Sequence, residues 1–453
     1  MPRNNLYKSM AAGVLFVFSL VPGSKAWAQG DVPLPIPGDA PLPISRPSDP
    51  PLTLEQLSVG DRLLPEYNAP GIRYGDIIYK PVIDFGESFD SNIFGSHDLV
   101  RSDFYTWLRP EFHAATDWGT NALNLDVTAD LDKYAAHGSE DVANMTAEAG
   151  GRLDIHHDQY LQASAGYSIQ HEPRYSAESE AAAQFASGSL VALYPTQYSV
   201  ASGRFSYVYV PRRIGFALDG SVDDYQYSNE PTSSGVLAIN SDRDRAEFAL
   251  SPRVSYELQQ GTQVFAQVAG NRRQYDSTVD ATPDHFMRTS TGYTAAVGAD
   301  LNEGGIVSGR FYVGYQDQRY DDPRLTDNAG LYLGGSLVWN VTRLTSLKLL
   351  LSRDVQETIQ TGSSGFWATV ADARVEHELM RNVVLSSDGF YELDQYQGIG
   401  RNDNMVALAA GAHWKINANL STGLTGMWQN RQSNQSVNSF EKELLMVDLK
   451  LAY

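Results

Sequence analysis

Two stretches decide the fold: ALNLDVTADLDKY at residues 122–134 and LMVDLKLAY at residues 445–453. In the first, every second residue from Leu123 to Leu131 is apolar, and the positions that alternate with them are polar and include Asp126, Asp130 and, just after Leu131, Asp132. Alternate side chains of a β-strand point to opposite faces. One face of this strand is therefore apolar and the other carries three carboxylates. The second stretch repeats the alternation and ends on the aromatic Tyr453.

The cost of placing charge in lipid decides which face meets which environment. A base that faces lipid at the bilayer midplane costs about 2–4 kcal/mol, and an acid somewhat less. Three aspartates on one strand therefore require a polar lumen on their side of the strand. By the same reasoning the apolar face of the last strand is predicted to touch lipid through Leu445, Val447, Leu449 and Leu451.

The alternating pattern repeats from about Ile77 to Tyr453, and its connections are alternately short and long. Eight short turns, such as DWGTN at 117–121 and RN at 381–382, separate pairs of strands that nine longer loops join. Bacterial outer-membrane barrels have an even strand number, short periplasmic turns and long external loops. We therefore predict an all-β fold: a transmembrane antiparallel up-and-down β-barrel of about eighteen strands with a polar lumen.

The N-terminal region divides into two parts before the barrel. Residues 1–28 combine a basic start, a short apolar core and the small-x-small site Ala26-Trp27-Ala28, which predicts a signal peptide cleaved between Ala28 and Gln29; an uncleaved anchor is the alternative. Residues 29–70 are Pro-rich up to about residue 60 and predict a periplasmic linker, although LTLEQL at 52–57 would also suit a partner-docking segment. The barrel is expected over residues 71–453, in the outer membrane of a Gram-negative cell.

Composition excludes several classes of function. The chain has no cysteine, so it has neither disulfides nor thiol chemistry. Its formal net charge is −20, and the predicted signal peptide holds bases but no acids, so the mature chain is more acidic still. Nucleic acid is therefore an unsuitable partner. Expected partners are outer-membrane lipid and lipopolysaccharide, and the barrel assembly machinery, which would recognise the C-terminal strand.

The opening of the barrel region resembles that of the putative β-barrel porin 2 family. The matching motifs are V-x-x-R-x-x-P-x-Y, G-I-R-x-G and D-x-N-I-F, which here are Val59, Arg62, Pro65 and Tyr67; Gly71, Ile72, Arg73 and Gly75; and Asp90, Asn92, Ile93 and Phe94. The similarity continues in residues 117–134, 270–276 and 309–325. It implies an outer-membrane barrel related to pores for exopolysaccharide export, with periplasmic polysaccharide-export proteins as partners.

Three classes of function remain open. The first is an export channel for an anionic or neutral exopolysaccharide, and the second is a general or solute-specific diffusion porin with cation preference. The third, an outer-membrane enzyme or a surface anchor, has less support. The residues predicted to line the lumen are Asp126, Asp130, Asp132, Glu148, Arg152, Asp154, Arg310, Tyr312, Asp372, Arg374, Glu376, Asp448 and Lys450.

A search for catalytic or metal sites finds only weak candidates. His156-His157-Asp158 lies at a short turn, where a solvated turn is the simpler interpretation than a metal site. Asp223-Asp224 and Asp321-Asp322 resemble carboxylate pairs for acid–base catalysis or cation binding, but both fall at borders between strand and loop. G-x-S-x-G, HExxH and G-x-G-x-x-G motifs in the required context are absent. We expect no cofactor, no metal and no enzymatic activity.

The long connection from Glu172 to Gln197 has an unusual composition. It contains the Ala-rich stretch AESEAAAQFASGSLVALYP. Loops that fold inward set the size of many pores. The sequence leaves two alternatives open here, a constriction loop inside the lumen and an exposed surface loop.

Overall fold

Eighteen long antiparallel strands form the body of the molecule. The computed structural model describes residues 57–62, 64, 66–176, 193–232, 235–282, 285–303 and 305–453. Within these ranges the strands are β1 (Ile77–Asp90), β2 (Asp103–Thr116), β3 (Ala122–Tyr134), β4 (Val142–His156), β5 (Gln159–His171), β6 (Gln197–Tyr209), β7 (Ile214–Tyr227), β8 (Arg245–Gln259), β9 (Thr262–Tyr275), β10 (Ser290–Glu303), β11 (Val307–Tyr320), β12 (Asn328–Thr342), β13 (Thr345–Gln356), β14 (Phe366–Met380), β15 (Val383–Tyr396), β16 (Asn402–Lys415), β17 (Leu420–Ser433) and β18 (Phe440–Ala452). The predicted strand number is confirmed.

The sheet closes on itself because the first and last strands pair. Each strand is hydrogen-bonded to its sequence neighbours, and β1 also pairs with β18, from Val82 opposite Ala452 to Asp90 opposite Leu444. Closure leaves no unpaired edge, so each strand of the wall has a hydrogen-bonded neighbour on both sides. The C-terminal strand that the sequence singled out is thus the one that seals the barrel.

The two faces of the wall differ as the alternation predicts. Leu445 and Val447 expose 52% and 50% of their surface on the outside, where large apolar side chains are exposed along most strands. The inner face instead buries charged and aromatic side chains, including Trp107, which is 0% exposed. None of the helical turns in the described part of the chain has the length and apolarity that a membrane crossing by helix requires.

Connections alternate between the two ends of the barrel. One end, here called the turn end, carries the eight short turns, such as Gln260-Gly261 between β8 and β9, where Gly261 has a φ of +84°. A left-handed residue of this kind is why glycine suits a two-residue turn. The other end, here called the loop end, carries the nine longer loops. Bacterial barrels have their short turns on the periplasmic side, so the turn end is expected there.

The chain reaches the barrel along the turn end. A short strand, Ile72–Tyr74, pairs with the start of β1, with Ile72 opposite Tyr79. Before it, residues 57–62 lie against the inner faces of β13 and β14. The predicted signal peptide with its cleavage site at Ala28 and Gln29, and residues 29–56 of the predicted linker, lie outside the described residues.

Candidate functional site

The inner face of the barrel is the candidate functional site, because it gathers charged side chains in pairs. Arg152 lies 3.1 Å from Asp154 two positions along β4. Across neighbouring strands, Arg310 Nε lies 2.5 Å from the carboxylate of Asp300. Such pairs satisfy charges that the interior of the barrel partly desolvates. The inner face is therefore polar, and many of its charges are neutralised by ion pairs with neighbouring side chains.

The thirteen residues predicted to line the lumen differ in how far they are covered. Arg152, Arg374, Glu376 and Asp448 are buried, whereas Glu148 is exposed. The other eight are half-buried: Asp126, Asp130, Asp132, Asp154, Arg310, Tyr312, Asp372 and Lys450. That these side chains line a path for a transported solute stays a prediction.

Several inward-facing bases were missing from the sequence-based set. Arg109 binds Asp130 at 2.6 Å and lies 4.2 Å over the ring of Trp107. Lys348 lies 3.0 Å from Glu376. Each occupies the inward position of its strand, so the alternation that located the acids would also have located these bases. The predicted set therefore omitted part of the positive charge of the inner face.

A chamber of about 300 Å³ lies in the loop-end half of the lumen. The inner faces of β4 to β9 provide most of its wall, with Thr146, Glu148, Ser168, Gln170, Tyr198, Ser202, Arg204, Asp223, Tyr225, Tyr227, Arg245 and Tyr275 among the lining residues. Tyr198 and Tyr227 stack with ring centroids 5.3 Å apart. The chamber thus combines aromatic rings with many hydrogen-bonding groups.

Arginines order the aromatic side of this chamber. The guanidinium of Arg245 lies 4.3 Å from the ring centre of Tyr225 and within about 6 Å of two further tyrosines. Arg243 lies 4.0 Å over Tyr227 and also binds the carboxylate of Glu172. Cation–π contacts and ion pairs together fix these rings, so the wall is preorganised.

The loops at the loop end are tied to one another by buried groups. Arg288, in the loop after β9, lies 2.6 Å from Asp280 and donates to the main-chain oxygen of Ser363 at 3.0 Å. This contact joins loop 276–289 to loop 357–365. The hydroxyl of Tyr275 donates to the carboxylate of Glu357 in the second loop, at 2.9 Å. The two loops therefore pack as one unit over part of the lumen.

The connection that begins at Glu172 also turns inward in its described part. The guanidinium of Arg174 binds Glu140 at 2.6 Å, and Tyr175 packs on Phe440 of β18 with ring centroids 5.0 Å apart. Burial raises the pKa of the Tyr175 hydroxyl. Residues 172–176 thus extend across the loop end, from β5 towards β18. Residues 177–192, which carry most of the Ala-rich stretch, lie outside the described residues.

The candidate catalytic pairs are not brought together as pairs. Asp223 faces inward and lies 3.0 Å from Arg204, whereas its neighbour Asp224 belongs to the opposite face. Asp321 binds Arg272, and Asp322 binds a different arginine. Asp223, Asp321 and Asp322 each bind an arginine, and neither pair of carboxylates converges on a common site.

The histidine turn shows the same lack of convergence. His157 is exposed and lies 4.0 Å from Asp158. Within the described part of the chain, this is the only ion pair that the turn forms. Across the described ranges, no group of three or more His, Cys, Asp or Glu side chains is placed to hold a metal ion.

Comparison with known proteins identifies the family. Residues 64–453 match the family described as putative beta-barrel porin 2. The chain belongs to this family. This porin therefore spans the outer membrane as a β-barrel channel, and the resemblance seen in the sequence is confirmed. None of the curated proteins compared with it matches.

Solved structures similar to this porin are other outer-membrane barrels. OpdK of Pseudomonas aeruginosa, solved with vanillate, shares 11% identity over 83% of this chain and 99% of that chain, with a TM-score of 0.44. OccK2 (OpdF) of the same organism shares 8% identity over 83% and 98%, with a TM-score of 0.43. The siderophore receptor PirA from Pseudomonas aeruginosa shares 9% identity over 83% and 80%, with a TM-score of 0.40.

Proposed function

We propose that this porin is an export channel for an exopolysaccharide. The observation that carries the proposal is the chamber in the lumen, where tyrosine rings lie beside hydroxyl, amide and carboxylate side chains. Saccharides present apolar C–H faces as well as hydroxyl groups, and a wall with aromatic bodies and polar tips suits both. The resemblance described in the sequence analysis implies the same cargo.

The proposal includes a direction and partners. The N-terminal segment would lie on the periplasmic side, where proteins for polysaccharide export would deliver the polymer. The exposed apolar belt would lie in the lipid and lipopolysaccharide of the outer membrane. The C-terminal strand, with Tyr453 at its end, would be the signal for the barrel assembly machinery.

A deletion strain tests the function. Loss of the gene is expected to abolish polymer at the cell surface, and the wild-type gene is expected to restore it. Normal surface polymer in the deletion strain contradicts the proposal.

A pair of bulky variants tests whether the cargo passes the chamber. Ser202→Trp adds an indole to the inner wall, whereas Ala201→Trp adds the same group to the adjacent, exposed residue on the lipid side. Ser202→Trp is expected to reduce surface polymer in the complemented strain, and Ala201→Trp is expected to leave it at the wild-type level. Equal export by the two variants contradicts passage through this chamber.

A diffusion porin with cation preference is the second candidate. It is favoured by the acids that outnumber the bases among the thirteen predicted lining residues, including Glu148, which is exposed at the chamber. Rings of carboxylates select cations. The test is the reversal potential in planar bilayers under a salt gradient: cation selectivity supports this candidate, and anion selectivity or a silent barrel contradicts it.

A further inference from the structure

Residues 57–62, here called the inner strap, occupy the lumen at the turn end. Ser58 and Val59 are 2% and 4% exposed, although they precede the barrel in sequence. The main-chain N–H of Val59 donates to the hydroxyl of Ser346 at 2.9 Å, and that of Gly60 donates to the carboxylate of Glu376 at 2.8 Å. The strap is therefore bound to the wall by directed hydrogen bonds.

The wall beneath the strap is a small polar site on β13 and β14. Lys348 places its ammonium group 2.9 Å from Asp61 of the strap and 3.0 Å from Glu376. The hydroxyl of Ser58 lies 2.9 Å from Glu376. The strap thus presents a carboxylate to the ammonium group of Lys348. It also presents a hydroxyl donor and a main-chain N–H donor to the carboxylate of Glu376.

The position of the strap places it in the path through the barrel. It contacts the wall near Lys348 and Glu376, several residues inward from the ends of β13 and β14. From there the chain passes Arg381, which binds Glu66 at 3.0 Å, and reaches the start of β1 on another side of the barrel. A polymer or solute that enters from the turn end would meet this segment.

The contacts of the strap are of a kind that can be exchanged. Val59 is its one buried apolar side chain among the described residues, and the other contacts are hydrogen bonds and ion pairs. Water or another polar ligand can replace such contacts at small net cost. The β-ladder of the wall, in contrast, has no alternative partners inside a membrane.

We propose that the inner face of β13 and β14 is a binding site for an acidic, hydroxyl-bearing ligand, which the inner strap fills as a built-in occupant. Release of the strap opens the turn-end half of the lumen. The ligand class that competes with the strap is a polyhydroxylated carboxylate, such as a uronic acid residue of a polysaccharide. This choice of ligand rests on the proposed function, whereas the gating does not.

Gly60 permits a test that leaves the wall unchanged. A Cβ atom at this position would lie 2.8 Å from the carboxylate of Glu376, which accepts hydrogen bonds from Ser58 and from the Gly60 N–H. The added side chain in Gly60→Val must displace either the strap or this carboxylate, and both displacements weaken the binding of the strap. The matched control is Gly119→Val, at a turn where a Cβ atom meets nothing within 4 Å. Single-channel conductance in planar bilayers is expected to rise about twofold or more in Gly60→Val and to stay at the wild-type value in Gly119→Val. Equal conductance in all three proteins overturns the proposal.

The absence of native cysteine allows the strap to be followed directly. In a Val59→Cys variant the single thiol is buried while the strap is bound, so its reaction with a soluble maleimide reports release. Adding Gly60→Val is expected to raise the labelling rate about tenfold or more. In Val59→Cys alone, an oligogalacturonate is expected to raise the rate, whereas a neutral maltooligosaccharide of equal length is not.

The outcomes separate this proposal from the proposed function. Labelling that is unaffected by oligogalacturonate, or raised equally by the neutral oligosaccharide, overturns the assignment of the ligand. Labelling that responds as expected, together with normal surface polymer in the deletion strain, leaves the site in place and rejects exopolysaccharide as the cargo. The competition arm retains Gly60, so it remains informative if Gly60→Val does not fold.

Discussion

Replacing Arg288 by leucine is expected to release the joined loops at the loop end. The side chains of Arg288 and Asp280 are each 1% exposed, and the guanidinium also donates hydrogen bonds to the main-chain oxygens of Thr358 and Ser363. Removing one partner of a buried ion pair costs about 3–5 kcal/mol. Asp280 keeps hydrogen bonds from Thr282 and the main chain of residue 286, so the lower end, about 3 kcal/mol, applies.

Hydrogen exchange measures this release locally. At about 1.4 kcal/mol per tenfold change, the amides of residues 276–289 and 357–365 should exchange roughly a hundredfold faster in Arg288→Leu, with the strands unchanged. The control is Arg272→Leu, because the pair of Arg272 with Asp321 is 39% and 43% exposed and is worth less than about 1 kcal/mol. The reasoning is refuted if the two variants exchange alike in these loops.

Three further predictions concern the wall and one loop. Val447→Lys places a charge on the lipid face and should destabilise the barrel by about 2–4 kcal/mol in urea unfolding from lipid vesicles; wild-type stability would contradict the assigned face. Trp107→Ala removes a fully buried ring that donates to Ser88 and should cost about 3–5 kcal/mol in the same assay; a loss below about 1 kcal/mol would mean that the inner cluster does not hold the wall. Hydrogen bonds from Arg324 and from main-chain N–H groups hold the pKa of the Asp322 carboxyl well below its usual value, although burial opposes this shift. The loop contact is therefore stable above about pH 4 and is lost as the pH falls below it. Pepsin cleavage of the loop should therefore rise with falling pH in the wild type and lose this dependence in Asp322→Asn.

The wall was predictable from the sequence because its determinants are local. Alternation over a dozen residues fixes both the strand and its faces, which is why Leu445 and Val447 were correctly placed. Residues 198–210 are an exception, because the weak alternation of YSVASGRFSYVYV does not distinguish the two faces. In β6 the structure turns Ser206 inward and Phe205 outward, but the small residues around Gly203 give too little contrast between the two faces for a pattern to register.

The contents of the lumen were less predictable because they depend on distant contacts. Asp61 and Lys348 are separated by 287 positions in the chain, and nothing in the local sequence of residues 57–62 specifies which strand they will bind. Arg288 likewise acts on main-chain oxygens of another loop, which carry no sequence signal. The alternation along a strand predicts that a side chain faces inward, but the identity of its partner depends on how the barrel closes.

Both ends of the barrel are covered by segments that make polar contacts, and motion is expected in these segments. Residues 57–62 at one end are held mostly by ion pairs and hydrogen bonds, and the loops around Arg288 at the other combine such contacts with a small apolar cluster that includes Phe286. In a partly desolvated site these contacts specify position strongly, yet their net contribution is small because desolvation offsets attraction. The wall is held by ladder hydrogen bonds that lipid cannot replace. Opening should therefore occur by release of the covering segments over a rigid barrel, and a channel so built can be wide without being permanently open.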